Sequence, residues 1–151
     1  MSRPRLTSLA ALAAAAALLL VACGDSEESN DYVDQVNEVQ TTFQSEVSQL
    51  GQNIESPEQL VTFYQDTVAK LEQAVAELED ISPPDDVAEL HDRLVEEVQG
   101  LADLIQGAGD EIDAGGVAAV PGVVSELSSE GSRLQSEFSN TITEINETLQ
   151  G

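Results

Sequence analysis

The chain has 151 residues, with 29 Asp and Glu against 5 Lys and Arg, one His, one Cys, no Trp and a formal net charge of −24 at pH 7. That balance excludes nucleic acid as a partner, because phosphate binding rests on Lys and Arg displacing condensed counterions. A single cysteine excludes an internal disulfide framework, so any core must hold by packing alone.

Arg3 and Arg5 open the chain, an uncharged Ala- and Leu-rich run follows from Leu6 to Ala22, and the composition turns acidic at Gly24-Asp25-Ser26-Glu27-Glu28. A basic start, a short apolar stretch and a small residue before the polar part are the layout of a secretory signal, which is set aside from the fold. Leu20-Val21-Ala22-Cys23 resembles a lipobox, the processing site of bacterial lipoproteins. The resemblance implies cleavage between Ala22 and Cys23, a diacylglycerol group on the Cys23 sulfur, and a new amino terminus open to acylation, typically by palmitate. Two other readings compete: a permanent membrane helix, for which roughly 17 residues is the lower limit, and an ordinary signal peptide that leaves Cys23 as an odd thiol.

Two acyl chains anchor a protein stably where one does not. Removing the first 22 residues takes away Arg3 and Arg5, leaving Lys70, Arg93 and Arg133 against all 29 carboxylates, a net charge of −26 with His91 neutral. Anionic headgroups repel such a surface, so the lipid on Cys23 is expected to hold it to the cell membrane, on the extracytoplasmic side. The expected division is residues 1–22 as signal peptide, 23–30 as lipidated Cys23 and a flexible acidic tether, and 31–151 as one helical domain. A tether of that length spans about 15 Å, keeping the domain close to the lipid.

From Val33 the apolar residues step by three and four through Val36, Val39, Phe43, Val47, Leu50 and Ile54, the spacing of one helical face. Ser56-Pro57-Glu58-Gln59 combines an N-cap serine, a proline in the first turn and a glutamine three residues on, which starts a second helix. Its stripe is Val61, Tyr64, Val68, Leu71, Val75 and Leu78, widened by Leu60 and Phe63, and Gly51 to Ser56 is the expected reversal. Pro83-Pro84 ends that helix by removing two amide donors. A third helix is expected from near Asp85 to about Asp113, burying Val87, Leu90, Leu94, Val98, Leu101 and Ile105, with Gly107 and Gly109 weakening its last turns.

Ala114-Gly115-Gly116 reads as the next reversal. The fourth helix is expected to start between Val117 and Pro121 and to reach about Gln150, with Val120, Val124, Leu127, Leu134, Phe138, Ile142, Ile145 and Leu149 on one side. No segment alternates long enough to be a strand. Four amphipathic helices joined by short turns give an all-α, up-down-up-down four-helix bundle, and a dimerising two-helix coiled coil is the alternative architecture.

Chemistry-bearing residues are sparse. His91, the sole histidine, falls at the edge of the third stripe, where a border residue is the ordinary reading and a general base would need an oriented partner such as Glu89 or Asp92. No serine stands in a Gly-x-Ser-x-Gly elbow, and one imidazole is too few for zinc. Asp110-Glu111-Ile112-Asp113 beside Gly115 supplies hard oxygens for calcium but lacks the EF-hand pattern. No Glu-x-x-His pair of the kind used by di-iron bundles is present. The aromatics lie mostly on the stripes, as core residues do. The sequence therefore reads as a non-enzyme with no catalytic, cofactor-binding or metal residues, Cys23 being its one expected site, for lipidation.

The mature part also resembles the small helical lipoproteins of unassigned function found in bacteria with Ala-rich coding, the helix-starting phrase Pro83-Pro84-Asp85-Asp86-Val87-Ala88-Glu89-Leu90-His91 carrying that likeness. The expected role is a binding or structural module of the cell envelope that presents an acidic face to a protein or cationic ligand. The alternative is a carrier that shelters a lipid or other apolar ligand between its helices. Like charges at this density strain the compact state. Added salt or millimolar divalent cation should therefore raise the melting temperature followed by circular dichroism, and a flat response would mean the carboxylates are too far apart to repel.

Overall fold

The computed structural model describes Leu20, residues 27–51, Ile54 and residues 56–150; Cys23 lies outside the described residues. Four helices follow one another: α1 (Glu27–Leu50), α2 (Pro57–Glu79), α3 (Ala88–Gly115) and α4 (Val120–Gln150), with single turns of 3₁₀ helix at Asp85–Val87 and Gly116–Ala118. No strand occurs among the described residues, and the all-α four-helix bundle read from the sequence is the fold. The close seams run between chain neighbours, α2 on α3, α3 on α4 and α1 on α2. No comparable seam joins α1 to α4.

The starts and stops have local causes. Residues 27–30, expected as tether, are the first turn of α1, where Glu27 and Glu28 sit at the positive end of the helix dipole. Periodicity is silent there because the turn carries no large apolar residue, so the tether read from the sequence was too long. At α2 the Ser56 hydroxyl accepts from the Gln59 amide at 3.2 Å while the Gln59 carboxamide accepts from the Ser56 amide at 3.1 Å, closing the capping box. The helix ends at Glu79 ahead of Pro83-Pro84, and Val87 N–H bonds back to the Pro84 carbonyl at 3.0 Å to start the next element.

Gly107 and Gly109 do not shorten α3, which reaches Gly115. A Cβ on Gly109 would stand 3.3 Å from the Tyr64 Cβ, so the glycine lets α3 approach α2 closely. The reversal occurs at Gly116, with φ 59° and ψ −147°, a region that side chains avoid. Pro121 falls in the first turn of α4, where a missing amide hydrogen leaves no bond unmade.

The interior divides into two clusters. One gathers Val47, Leu60, Phe63, Tyr64, Leu71, Ala102, Ile105, Ala108, Ile112, Val123 and Leu127 near the α1–α2 and α3–α4 turns. The other holds Tyr32, Val33, Val36, Leu78, Ile81, Val87, Leu94, Ile142 and Ile145 at the opposite end, together with Leu20. Leu20 belongs to the leader expected to be removed, yet in the uncut chain its amide and carbonyl each pair with the Asn37 carboxamide at 3.0 Å. Cleavage before Cys23 would withdraw it from that slot.

One stripe residue was assigned wrongly. Val124 is 36% exposed while Val123 is 1% exposed: either valine fits three-and-four spacing between Val120 and Leu127, and the rotation of α4 in the bundle turns Val123 inward. The three cations of the described residues are all paired, Lys70 with Glu46 at 3.1 Å across α1 and α2, Arg93 with Glu144 at 2.8 Å across α3 and α4, and Arg133 with Glu130 and Glu137 along α4. Exposed pairs of this kind contribute at most about 1 kcal/mol each.

Two glycines should respond oppositely to alanine. Gly116→Ala forces a side chain into a positive-φ conformation and should lower unfolding free energy by about 1–3 kcal/mol in urea titrations. Gly107→Ala, in open space on α3, should raise it by about 0.5–1 kcal/mol. Equal effects at both would contradict the turn geometry.

Candidate functional site

Between Leu127 and Leu134 the sequence of α4 is Ser-Ser-Glu-Gly-Ser-Arg, six consecutive positions with no large apolar residue. A helix returns to the same face every three to four residues, so this stretch should place one more apolar side chain inward and instead offers Gly131 between Ser128 and Ser132. Protein interiors normally leave few voids larger than a water molecule. Here a cavity of about 240 Å³ remains, lined by all four helices where the two core clusters meet and partly open to solvent at Ser128, Ser132 and Gln135.

Its walls are mainly aliphatic and aromatic: Val36, Val39 and Phe43 from α1, Leu71, Ala74 and Leu78 from α2, Leu94, Val98 and Leu101 from α3, and Leu134, Phe138 and Ile142 from α4. Exposed Ser128, Ser132 and Gln135 form a polar mouth on α4. Two polar side chains stand in the stripes and also line the space. Gln40 lies between Val36 and Phe43 on α1, and Glu97 between Leu94 and Leu101 on α3.

Glu97 is held from α4, where the fully buried Thr141 hydroxyl donates to its Oε1 at 2.7 Å. Burial pushes the Glu97 carboxyl above the usual range; the Thr141 bond and Arg93 oppose that rise, and Glu137 and Glu144 add to it. Its other oxygen, Oε2, and the Gln40 Nε2 are buried without a hydrogen-bond partner.

His91 lies at the other cluster, and its placement corrects the sequence reading of a border residue: it is 4% exposed. Nε2 stands 3.0 Å from the Leu78 carbonyl near the end of α2, and Nδ1 stands 3.2 Å from the Tyr32 hydroxyl. A carbonyl only accepts, so Nε2–H donates to it and Nδ1 accepts from the Tyr32 O–H. The rings meet edge to face at 5.6 Å, and burial raises the Tyr32 hydroxyl well above its ordinary pKa. With both nitrogens occupied, His91 ties α1 and α3 to the C-terminus of α2, and the exposed Glu89 and Asp92 are not its partners.

Asp110, Glu111 and Asp113 do not converge; among the described residues no group of three or more potential ligands is close enough to hold a metal ion. Nor is any described helix long and apolar enough to cross a membrane. Cys23, the expected lipidation site, lies outside the described residues. Glu97, next to Glu96 in an acidic run, reads from the sequence as a solvent-face carboxylate, and its bond to Thr141 and its buried Oε2 correct that reading. Gln40, Thr141 and Gly131 carry no sequence reading, although polar or missing side chains at stripe positions are a readable signal.

A family model described as "Family of unknown function (DUF6376)" matches residues 26–151. No curated protein and no solved structure matches the chain.

The raised Glu97 pKa fixes a pH dependence. Folding favours the protonated form, so the carboxylate costs stability above its folded pKa, and that cost is lost below its unfolded pKa. Glu97→Gln, which keeps an acceptor for Thr141, should therefore raise the melting temperature at pH 8 and lose most of that gain by pH 4. A gain independent of pH would show that the carboxylate is effectively solvated.

Proposed function

Because the chain belongs to that family of unknown function, we propose from its geometry that it is a lipid-anchored extracytoplasmic binding module that takes an apolar ligand into the bundle. The observation that carries the reading is the cavity of about 240 Å³ between aliphatic walls at the joint of the two clusters. An engineered cavity of roughly 150 Å³ admits benzene, so by scaling this one suits a body of about ten non-hydrogen atoms. Anchoring rests on the lipobox resemblance at Cys23, and a short tether would hold the mouth of the cavity close to a lipid surface from which apolar ligands partition.

A module that only presented acidic surface would gain nothing from such a space, which forfeits the dispersion contacts of every side chain around it. Removing the space should then improve stability while removing binding.

Toluene titrated into the protein should shift the methyl resonances of Leu71, Val98 and Leu134, which line the space, and leave those of Ile112 and Ile145 in place. Gly131→Leu, at a residue that lines the space and with about 1 kcal/mol gained in helix propensity, should melt higher and show no toluene response. Shifts spread through both clusters, or none at saturation, would contradict the reading.

A further inference from the structure

Interior polar groups of this bundle are mostly matched. Thr67 donates to the Phe63 carbonyl at 2.7 Å, His91 uses both ring nitrogens, and Thr141 serves Glu97. Against that background Gln40 Nε2 and Glu97 Oε2 stand out: both are buried, both lack a partner, and both side chains line the same cavity. Buried polar groups without a partner are costly, and a binding role is one physical reason to keep them.

Their chemistry is complementary. Gln40 Nε2 offers hydrogens only. Glu97 already accepts from Thr141 through Oε1, so Oε2 is positioned as a second acceptor. We propose that the pair is the polar end of an amphiphile site, taking a neutral head that accepts a hydrogen bond from Gln40 and donates one to Glu97, a hydroxyl in the simplest case. This rests on the cavity reading above and specifies what that cavity selects.

The pattern ranks ligands. An ammonium head only donates, so it satisfies Glu97 and leaves Gln40 pointing its hydrogens at a cation. A carboxylate head only accepts and meets the Glu97 charge within a strongly acidic protein. A hydrocarbon leaves both atoms unmatched. Selection by hydrogen-bond pattern is sharper than selection by size, because the wrong ligand strands buried polar groups of the site.

Isothermal titration of the full chain with phenethyl alcohol, propylbenzene, phenethylamine and 3-phenylpropanoate tests the assignment, since the four share the phenethyl body and differ in the head. Phenethyl alcohol should bind about tenfold more tightly than each of the other three, the effect expected of one or two net hydrogen bonds. In Gln40→Leu that preference over propylbenzene should vanish while propylbenzene itself still binds. Equal affinity of alcohol and hydrocarbon for the wild-type chain would overturn the polar anchor and leave the apolar cavity standing. Tighter binding of phenethylamine would overturn it in favour of a cation site, and no binding by any of the four would remove both readings.

Discussion

The arrangement of the bundle turns on the absence of one inward side chain from the middle of α4. Leu127 and Leu134 bracket Gly131, and the stripe that should be continuous is interrupted at the level where the two core clusters join. Each cluster closes well on its own: Ile112, Val123 and Leu71 are almost fully buried at one end, and Tyr32, Leu94 and Ile145 at the other. The space between them is what a close-packed interior would ordinarily eliminate. It persists because α1 and α4 share no close seam, so neither helix is drawn across to fill it.

Polar groups in the interior divide along the same line. Away from the cavity they are structural, as at His91, whose ring stitches Tyr32 of α1 and the Leu78 carbonyl of α2 to α3. Loss of either contact would leave a buried acceptor or donor unmatched. At the cavity the pattern is incomplete: Glu97 has one oxygen satisfied and one not, and Gln40 has its amide hydrogens turned to no protein acceptor. The charge of the surface does not explain this, since cations at the surface are already paired with nearby carboxylates.

Most of the fold was legible because its signals are local. The capping box at Ser56, the stop at Pro83-Pro84 and the three-and-four spacing of valines and leucines each depend on a few neighbouring residues, and each appears where the sequence placed it. The misses depend on what lies opposite. Burial of His91 needs Tyr32 to face it across 59 residues of chain, and Val123 replaces Val124 through the rotation of α4 against α3, which sequence spacing alone does not determine. The start of α1 at Glu27 was hidden because charge, rather than apolar periodicity, favours that turn. Gly131, Gln40 and Glu97 were visible as breaks in three separate stripes, but only the packing of the four helices shows that the breaks share one space.

A lipid on Cys23, as proposed, would hold the bundle within a tether's reach of the membrane, and Ser128 and Ser132 form the polar mouth of the cavity. The most direct measurement of the central claim is a crystal structure of the protein under xenon pressure, because xenon settles against apolar walls with room to spare and is seen without labelling. Xenon density bounded by Leu71, Val98 and Phe138, beside Gly131, is the predicted result. A structure in which α1 lies against α4, with Phe43 or Phe138 filling the space and no xenon between them, would contradict it.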